Sequence, residues 1–344
     1  MGVDLAQATV AVLMGGTSGE REVSLDSGRC IVQALGELDG RGPAEVTPVL
    51  WTADGNFDFA GEKLDVAQAL ARMARFDAVH LALHGGMGED GTLQGALDLV
   101  GVAYTGSGVA ASALAMDKPR SKIVAEAAGA PGAPGLVVTR RDLTGGPRAV
   151  LDRLTALVAG GAFLKPSDGG SSVAMERHLP GGDLLSALER CLEQAPAVLV
   201  EAAVQGLEVT CAVLERGAGP QALPVVEIRP AAGRFFDYSQ KYATDGADER
   251  CPPELLDDAA QSEIQRRAVA VHRAFGCRGL TRVDFMVREP ERGRDCGPVF
   301  LELNTLPGFT PRSLAPLAAA AAGLSYRDLC LELLADALDR RVDS

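Results

Sequence analysis

Two short segments near the C-terminal end of the chain, residues 279–287 and 299–308, have the alternating pattern of neighbouring β-strands. The polar positions of the two segments are Arg282, Asp284, Glu302 and Asn304. Because residues two apart lie on one side of a strand, the pattern gathers three oxygen-bearing side chains and an arginine on a single surface. Oxygen ligands of this kind are typical of Mg²⁺ that links carboxylates to substrate phosphates. The sequence therefore indicates nucleotide-dependent chemistry.

The charge balance restricts the partners of such a site. The 344 residues have a net charge of −13 and a pI of about 4.9, which argues against nucleic acid or an anionic membrane as a partner. Only five of the 33 basic residues are lysines. Lysine is a compact charge that commonly binds phosphate, so Lys118, Lys165 and Lys241, in loop-like segments, are candidate phosphate ligands. For Lys63 and Lys122 a chance position on the surface is a plausible explanation.

The chain has the features of a cytoplasmic enzyme of two or three domains. Residues 1–7 lack the basic and apolar regions of a secretory signal, and no apolar run is long enough to cross a bilayer. The seven cysteines show no Cys-x-x-Cys spacing, and the four histidines show no metal-ligand spacing. We therefore expect reduced thiols and no zinc site.

The first third of the chain alternates apolar strands with helices, which predicts an open parallel sheet with helices on its faces. The predicted elements are strands 9–14, 46–51 and 78–83, a helix from Thr17 or Ser18, and a helix at 64–74. Glycine-rich turns follow the strands at Gly15–Gly16 and at 84–86, where ligands of such sheets bind. The segments 20–24 and 85–91 lie at these strand ends, although Thr17, Ser18 and Asp90 could equally be helix caps.

A Gly/Ala/Pro-rich stretch at 128–135 predicts a hinge, followed by an α+β region. The predicted strands are 136–139, 162–166, 172–175, 198–201, 208–214 and 223–228, and the predicted helices are 148–159, 183–194, 253–275 and 326–338. The polar loop 231–253 is too long for a simple connection, and its aromatic segment 236–242 favours an ordered lid.

Other motifs each allow two interpretations. The loop 165–172 could cover nucleotide phosphates with its amides and Lys165, or it could be a plain hairpin. Glu201 and Glu208 could bond an adenosine, or they could be solvated surface residues. Ser313 and Leu314 open a helix whose N-terminal amides attract carboxylates, and a simple N-cap serine is compatible with that role.

Taken together, these segments resemble the D-alanine–D-alanine ligase family of the ATP-grasp superfamily, over nearly the whole chain. The matching segments are 14–25 (MGGTSGEREVSL), 83–95 (LHGGMGEDGTLQG), 104–108 (YTGSG), 115–118 (AMDK), 165–173 (KPSDGGSSV), 236–242 (FDYSQKY), 282–284 (RVD) and 302–310 (ELNTLPGFT). Their common order makes the resemblance far more specific than any one glycine loop.

The resemblance implies an α/β and α+β ATP-grasp fold with ATP clasped between a central and a C-terminal domain. The implied domains are a Rossmann-like substrate domain at 1–118, a central subdomain at 119–205 and a catalytic domain at 206–344. It also implies a homodimer that takes D-alanine as substrate, with ATP and two Mg²⁺ or Mn²⁺ ions. The implied metal ligands are Asp284, Glu302 and Asn304.

The resemblance further assigns roles to single residues. ATP phosphates would contact Lys118, Lys165, Ser172 and Lys241, and the adenosine would contact Glu201 and Glu208. The ammonium of the first D-alanine would bind Glu20, which is linked to Ser171 and Tyr242, with His84 nearby. An oxyanion would be stabilised by Arg282 and the Gly308 amide, and the carboxylate of the second D-alanine would bind Ser313 and the Leu314 amide. Such groups suit phosphoryl transfer followed by acyl transfer.

Two departures from the family pattern touch no assigned residue. Ala174 stands where glycine is usual, and alanine would be strained there if the position needs a positive φ. The excursion 289–297 is longer and more charged than a tight hairpin needs.

Three other functions compete with this one. A relative could join D-alanine to D-lactate or D-serine, although under the resemblance Tyr242 favours the dipeptide-forming type. A homologue could bind ATP without turnover, but the metal ligands, oxyanion donor and lid lysine are all present. A dehydrogenase is weaker still, because Gly15-Gly16-Thr-Ser-Gly19 lacks the Gly-x-Gly-x-x-Gly spacing.

Overall fold

The computed structural model describes residues 4–37, 40–169, 175–229, 248–288 and 297–342. The strands are β1 Thr9–Gly15, β2 Glu45–Trp51, β3 Phe57–Phe59, β4 Glu62–Leu64, β5 Ala78–Leu81, β6 Ala103–Tyr104, β7 Gly135–Thr139, β8 Ala162–Pro166, β9 Glu176–His178, β10 Ala197–Ala202, β11 Leu207–Arg216, β12 Gly219–Ala222, β13 Val226–Arg229, β14 Asp248–Arg250, β15 Leu280–Val287 and β16 Val299–Asn304. The helices are α1 Arg21–Leu35, α2 Val66–Met73, α3 Thr92–Val100, α4 Val109–Met116, α5 Lys118–Ala127, α6 Arg140–Gly145, α7 Pro147–Val158, α8 Leu184–Gln194, α9 Asp258–Phe275, α10 Leu314–Ala321 and α11 Tyr326–Val342.

The first sheet has the order β4-β3-β2-β1-β5-β6. Its core is parallel, as predicted, because the buried apolar strand β1 pairs in parallel with β2 and β5 on its two sides. The sheet is nevertheless mixed, since β3 and β4 form an antiparallel hairpin at its edge. The three-residue strands of this hairpin are too short to produce a recognisable alternation in the sequence.

Helix α1 begins at Arg21, so the prediction of a start at Thr17 or Ser18 is wrong. The Ser18 hydroxyl instead donates to the His84 carbonyl at 2.6 Å and accepts the Glu20 amide at 3.2 Å. Ser18 thereby ties the first glycine-rich turn to the second. The loop between β1 and α1 is therefore held by a neighbouring strand end.

The second sheet, β7-β10-β8-β9, is antiparallel and packs on α7 and α8. Strand β8 has the predicted bounds. Of the predicted strand 172–175, residues 172–174 lie outside the described residues, and the described strand β9 begins one residue after it. This sheet and the next one face each other across a cleft.

The third sheet runs β14-β13-β11-β15-β16, with β12 paired to β11, and all its pairs are antiparallel. Helix α9 covers one face, while α10 and α11 join the other face to the first sheet in one hydrophobic cluster. Strand β14 lies within the predicted loop 231–253. Helix α9 begins at Asp258 rather than 253, since the Asp257 side chain caps it by accepting the Ala260 amide.

The last helix of the chain belongs to the first sheet as much as to the third. Arg327 of α11 donates to the carbonyls of Ala34 and Glu37, which lie at the end of α1. Leu334 of α11 is buried in the same cluster as Val10 of β1. The first and last parts of the chain therefore share one core.

The predicted hinge at 128–135 is bonded to β16, since the Pro131 carbonyl accepts the Phe300 amide at 2.9 Å. The three sheets occupy residues 9–104, 135–202 and 207–304, and the domain boundaries at 118 and 205 remain a prediction. Among the described residues, no helix combines the length and the apolar character needed to cross a membrane. The cysteines within the described ranges are all free thiols.

Candidate active site

A cleft of about 830 Å³ opens between the second and third sheets. Its charged lining residues are Asp90, Asp117, Lys118, Lys165, Asp168, Glu201, Glu208, Asp284 and Glu302. Apolar residues, among them Phe163, Val204, Met286 and Leu301, line the remainder. A cleft with apolar walls and converging charges is the usual form of a small-molecule site.

The two polar strands predicted from the sequence are neighbours, and their polar residues share a face. In the antiparallel register of β15 and β16, Asp284 lies opposite Glu302 and Arg282 lies opposite Asn304. Directly opposite residues project to the same side of a sheet. The structure thus brings together Asp284, Glu302, Asn304 and Arg282 as the alternation predicted.

The Asp284 carboxylate is the centre of this group and is nearly buried. It accepts bonds from Arg282 Nε at 2.9 Å and Nη2 at 2.8 Å, from Thr210 Oγ1 at 2.6 Å and from Asn304 Nδ2 at 3.1 Å. Four donors occupy the lone-pair positions of one carboxylate. A metal ion at Asp284 would therefore replace one donor, and reversal of the Asn304 amide would present an oxygen instead of the nitrogen.

The donor chemistry of this face fits a hard divalent cation. Among the described residues, no three histidine, cysteine, aspartate or glutamate side chains are grouped so that they could hold a metal. The candidate set is instead two carboxylates and one amide, all oxygen ligands, with Asp284 and Glu302 lining the cleft. Mg²⁺ commonly takes only one or two protein carboxylates and completes its shell with phosphate and water.

Glu201 lies on β10 between two lysines. Its carboxylate is 2.5 Å from Lys122 Nζ and 3.0 Å from Lys165 Nζ, and it is only 3% exposed. Burial alone would raise the pKa of Glu201, but the two ammonium groups outweigh it and hold the pKa below its usual value. Burial lowers the pKa of Lys122. For Lys165 burial is the largest single effect, but the carboxylates of Glu201, Glu302 and Glu208 together outweigh it and raise the pKa.

The contacts of Glu201 and Lys122 contradict the interpretation of both as exposed surface residues, which the sequence had left open. Glu201 is not a solvated surface residue, and the Lys122 side chain is only 13% exposed. Lys122 is fixed between Glu201, the Phe300 carbonyl at 3.4 Å and the face of the Phe300 ring. Lys63, by contrast, is exposed, as expected.

Replacing Lys122 with methionine should therefore destabilise the protein by about 1–3 kcal/mol, because the buried Glu201 carboxylate loses one of two cations. Urea unfolding would measure this difference. The matched control is Lys63→Met at an exposed position, which should change stability by less than about 0.5 kcal/mol. A Lys122→Met variant as stable as the parental protein would contradict the structural role of this lysine.

Lys118 lies at the first turn of α5, where Asp117 caps the helix through the Arg120 amide. Its Nζ donates to the Gly169 carbonyl, and its backbone amide donates to the Ser167 carbonyl at 2.9 Å. Burial lowers the pKa of Lys118, although Glu302 opposes this. Lys118 and Lys165 both line the cleft together with Glu208 on β11, and their role as phosphate ligands remains a prediction.

On the first sheet, Glu20 precedes α1 and does not cap it with its side chain. His84 is nearly buried, and its ring Nδ1 is 3.0 Å from the Leu306 carbonyl while Nε2 is 3.1 Å from Ser27 Oγ. Both ring nitrogens thus have partners within the protein. Burial lowers the pKa of His84, which favours the neutral ring.

The turn after β16 carries the remaining predicted residues. Gly308 is half-buried, and Ser313 stands immediately before α10. The Ser313 side chain makes no cap bond; its Oγ accepts the Thr310 amide at 3.0 Å instead. Ser313 is therefore the N-cap residue of α10 by position, with its carbonyl accepting the Leu317 amide at 2.9 Å, but its side chain does not cap the helix. The Leu314 amide lies at the helix N-terminus.

Four predicted site residues lie outside the described residues: Ser171, Ser172, Lys241 and Tyr242. The proposed lid 236–242, Ala174 and most of the excursion 289–297 lie outside them as well.

Sequence reasoning missed Thr210 and Ser27, which contact Asp284 and the Phe309 amide. It placed Glu89 at a strand end, in the segment 85–91, and treated Lys122 as a chance surface lysine, but it assigned neither its partner, Leu306 or Glu201. The rarity of lysine could have identified Lys122, and the glycine-rich segment 83–95 could have identified Glu89. Nothing in the local sequence distinguishes Ser27 or Thr210.

The chain is similar to known proteins over nearly its full length. Residues 9–107 match the family described as D-ala D-ala ligase N-terminus, and residues 124–335 match D-ala D-ala ligase C-terminus. A D-alanine--D-alanine ligase of Methylibium petroleiphilum is 42% identical over 329 residues, 94% of each chain. One of Acidovorax ebreus is 40% identical over 332 residues, covering 96% of this chain and 91% of its own.

Solved structures give the same result. The VanG D-Ala:D-Ser ligase of Enterococcus faecalis is 30% identical with a TM-score of 0.81, over 95% of this chain and 98% of its own. The Bacillus anthracis D-alanine--D-alanine ligase complexed with ATP is 29% identical with a TM-score of 0.76, over 98% and 99%.

Proposed function

This chain belongs to the D-alanine–D-alanine ligase family, and we propose that the cleft between its second and third sheets is where it carries out the family's reaction. That reaction is the ATP-dependent ligation of two D-alanine molecules, for the synthesis of peptidoglycan precursors. The observation that carries the proposal is the shared face of β15 and β16, which brings together Asp284, Glu302, Asn304 and Arg282 and places Asp284 and Glu302 in the wall of the cleft.

ATP would lie in the cleft with its phosphates toward the lysines. Lys118 and Lys165 offer positive charge there. Lys241 would add to that charge, and Ser172 would donate a hydrogen bond to a phosphate oxygen. Glu201 and Glu208 line the same cleft and would contact the adenosine. Asp284, Glu302 and Asn304 would hold Mg²⁺ or Mn²⁺, which when bound neutralises the charge of the triphosphate.

In the first step, the carboxylate of the first D-alanine reacts with the γ-phosphate of ATP. A carboxylate oxygen of the first D-alanine attacks the γ-phosphorus, the bond to the β-phosphate oxygen breaks, and ADP leaves. Glu20 would bind the ammonium of this D-alanine, with Ser171 and Tyr242 fixing the glutamate. The cationic side chains then act by position and charge, which is the main source of catalysis in phosphoryl transfer.

In the second step the amine of the second D-alanine attacks the acyl carbon. Arg282 and the Gly308 amide would stabilise the oxyanion that forms, and phosphate leaves as the peptide bond is completed. Ser313 and the Leu314 amide would hold the carboxylate of the second D-alanine at the N-terminus of α10. The orientation of that carboxylate directs the amine toward the acyl phosphate.

The proposal is tested by phosphate release from ATP with Mg²⁺, using D-alanine beside L-alanine, D-lactate and D-serine. Of these compounds, we expect only D-alanine to cause phosphate release when it is added by itself, with one dipeptide formed for each phosphate released. Equal release without any amino acid would contradict the ligase function. D-Serine as acceptor is the second candidate, because the VanG structure is similar over nearly the whole chain; a mixed dipeptide formed faster than D-alanyl-D-alanine would support it.

A homodimer and a cytoplasmic location complete the proposal. The first rests on the family resemblance and the second on the supply of ATP. Sedimentation of the purified protein would test the oligomeric state. A particle with the 35.7 kDa mass of a single chain would contradict the homodimer.

A further inference from the structure

The turn at residues 306–309, which carries the proposed oxyanion donor Gly308, is bonded to three polar side chains of the first sheet region. Glu89 Oε1 accepts the Leu306 amide at 3.2 Å, and His84 Nδ1 is 3.0 Å from the Leu306 carbonyl. Ser27 Oγ accepts the Phe309 amide at 3.4 Å. Both backbone groups of Leu306 are thus held by side chains that follow strand β5 of the first sheet.

The three side chains form one consistent hydrogen-bond network. A carbonyl can only accept, so His84 carries its proton on Nδ1 and its Nε2 accepts from the Ser27 hydroxyl. The Ser27 oxygen can then accept the Phe309 amide. Glu89 Oε2 accepts the Gly85 amide at 2.9 Å, so the carboxylate joins the glycine-rich turn to Leu306. All three side chains are at most 6% exposed.

The side chains around the 306–309 turn do not fill all the space next to it. A cavity of about 20 Å³ is lined by Leu306, Pro307 and Phe309 together with His84. Where side chains do not fill the space, the position of a turn depends on its polar contacts. Burial, with a contribution from the charge of Glu20, raises the pKa of Glu89 to about 7.

We propose that Glu89, with His84 and Ser27, is a positioning residue that fixes the 306–309 turn so that the Gly308 N–H points at the oxygen of the reacting acyl group. This inference rests on the proposed role of Gly308. A loosened turn would leave phosphoryl transfer intact and slow the attack of the amine. The acyl phosphate would then react with water, releasing D-alanine and phosphate without a peptide bond.

The decisive variant is Glu89→Gln, which keeps the shape but replaces one oxygen with an amino group that faces a backbone N–H. We expect kcat to fall roughly ten- to a hundredfold, since small misplacement of a catalytic group has effects of that order. The ratio of phosphate released to dipeptide formed should rise above one, to about two or more. A purely structural residue would lower both products together and leave the ratio unchanged.

Glu227 provides a matched control. It is likewise a buried carboxylate that accepts two backbone amides, from Glu254 at 2.9 Å and Leu255 at 2.8 Å, on strand β13. Glu227 also pairs with Arg229, so Glu227→Gln should lower the melting temperature at least as much as Glu89→Gln, yet keep one phosphate per dipeptide. Ser27→Ala is the second test variant and should raise the ratio in the same direction, by a smaller amount.

The possible results distinguish a failure of the proposed function from a failure of the proposed positioning role. Parental protein without D-alanine-dependent turnover would overturn the proposed function. Coupled turnover in the parental protein and in both Glu89→Gln and Ser27→Ala would overturn the positioning role alone. Uncoupled turnover in these two variants, with coupled turnover in Glu227→Gln, would establish it.

Discussion

Asparagine in place of Asp284 is expected to lower kcat/KM by at least about a thousandfold, which corresponds to roughly 4 kcal/mol of lost transition-state stabilisation. The substitution removes the negative charge that faces Glu302 and Asn304 on the wall of the cleft. It also leaves the Arg282 side chain, 9% exposed, without its carboxylate partner. The proposed metal site and the proposed oxyanion donor are therefore weakened by one change.

Steady-state kinetics would measure this effect, with circular dichroism to show that the variant is folded. A loss of stability of about 3 kcal/mol is also expected, because the nearly buried Arg282 side chain loses the negative charge of the carboxylate that it contacts. Asp336→Asn is the control, since Asp336 pairs with Arg340 at 3.0 Å on α11. It should lose stability but keep kcat/KM within about threefold of the parental value. Comparable kinetic losses in the two variants would refute a special role for Asp284.

The largest loss of stability is expected for Phe300→Ala, about 3–5 kcal/mol of the free energy of unfolding. Phe300 on β16 is fully buried, and its ring centroid lies 6.3 Å from that of Phe285 and 6.5 Å from that of Phe275. Lys122 Nζ lies over the same ring at 5.7 Å. Truncation would therefore leave a cavity in the core of the third sheet and loosen the lysine that pairs with Glu201.

Chemical denaturation would give the difference in unfolding free energy between this variant and the parental protein. Leu99→Ala is a suitable control, because Leu99 is 89% exposed and its truncation should change stability by less than about 0.5 kcal/mol. A loss below about 1 kcal/mol for Phe300→Ala would mean that β16 is not part of a tightly packed core.

The face with the proposed metal ligands could be predicted because the pattern that indicates it lies within two short segments. The alternation of polar and apolar residues along β15 and β16 indicates which side chains lie on the same side of each strand, and antiparallel pairing of the two strands brings these side chains together. The continuous apolar strands of the first sheet were predictable for a similar reason. Strand β8, followed by a glycine-serine loop, was predicted with its observed bounds.

The contacts around the turn could not be predicted, since they join residues far apart in sequence through backbone atoms. Ser27 and Phe309 are 282 positions apart, and Glu89 and Leu306 are 217 apart. A serine within a helix gives no sign that a distant amide will bond to it. Lys122 was misjudged for the same reason, because its partner Glu201 lies on another element and the sequence pattern carries no information about pairing.

The place of α11 in the core has a consequence for biosynthesis. Domains usually fold in order as the ribosome releases them, at about 5–20 residues per second. Here the hydrophobic cluster that contains Val10 and Ile31 also contains Leu329 and Leu334 of α11. Until α11 has been synthesised, roughly ten seconds or more after α1 at such rates, we expect this side of β1 and α1 to be exposed to solvent in the nascent chain.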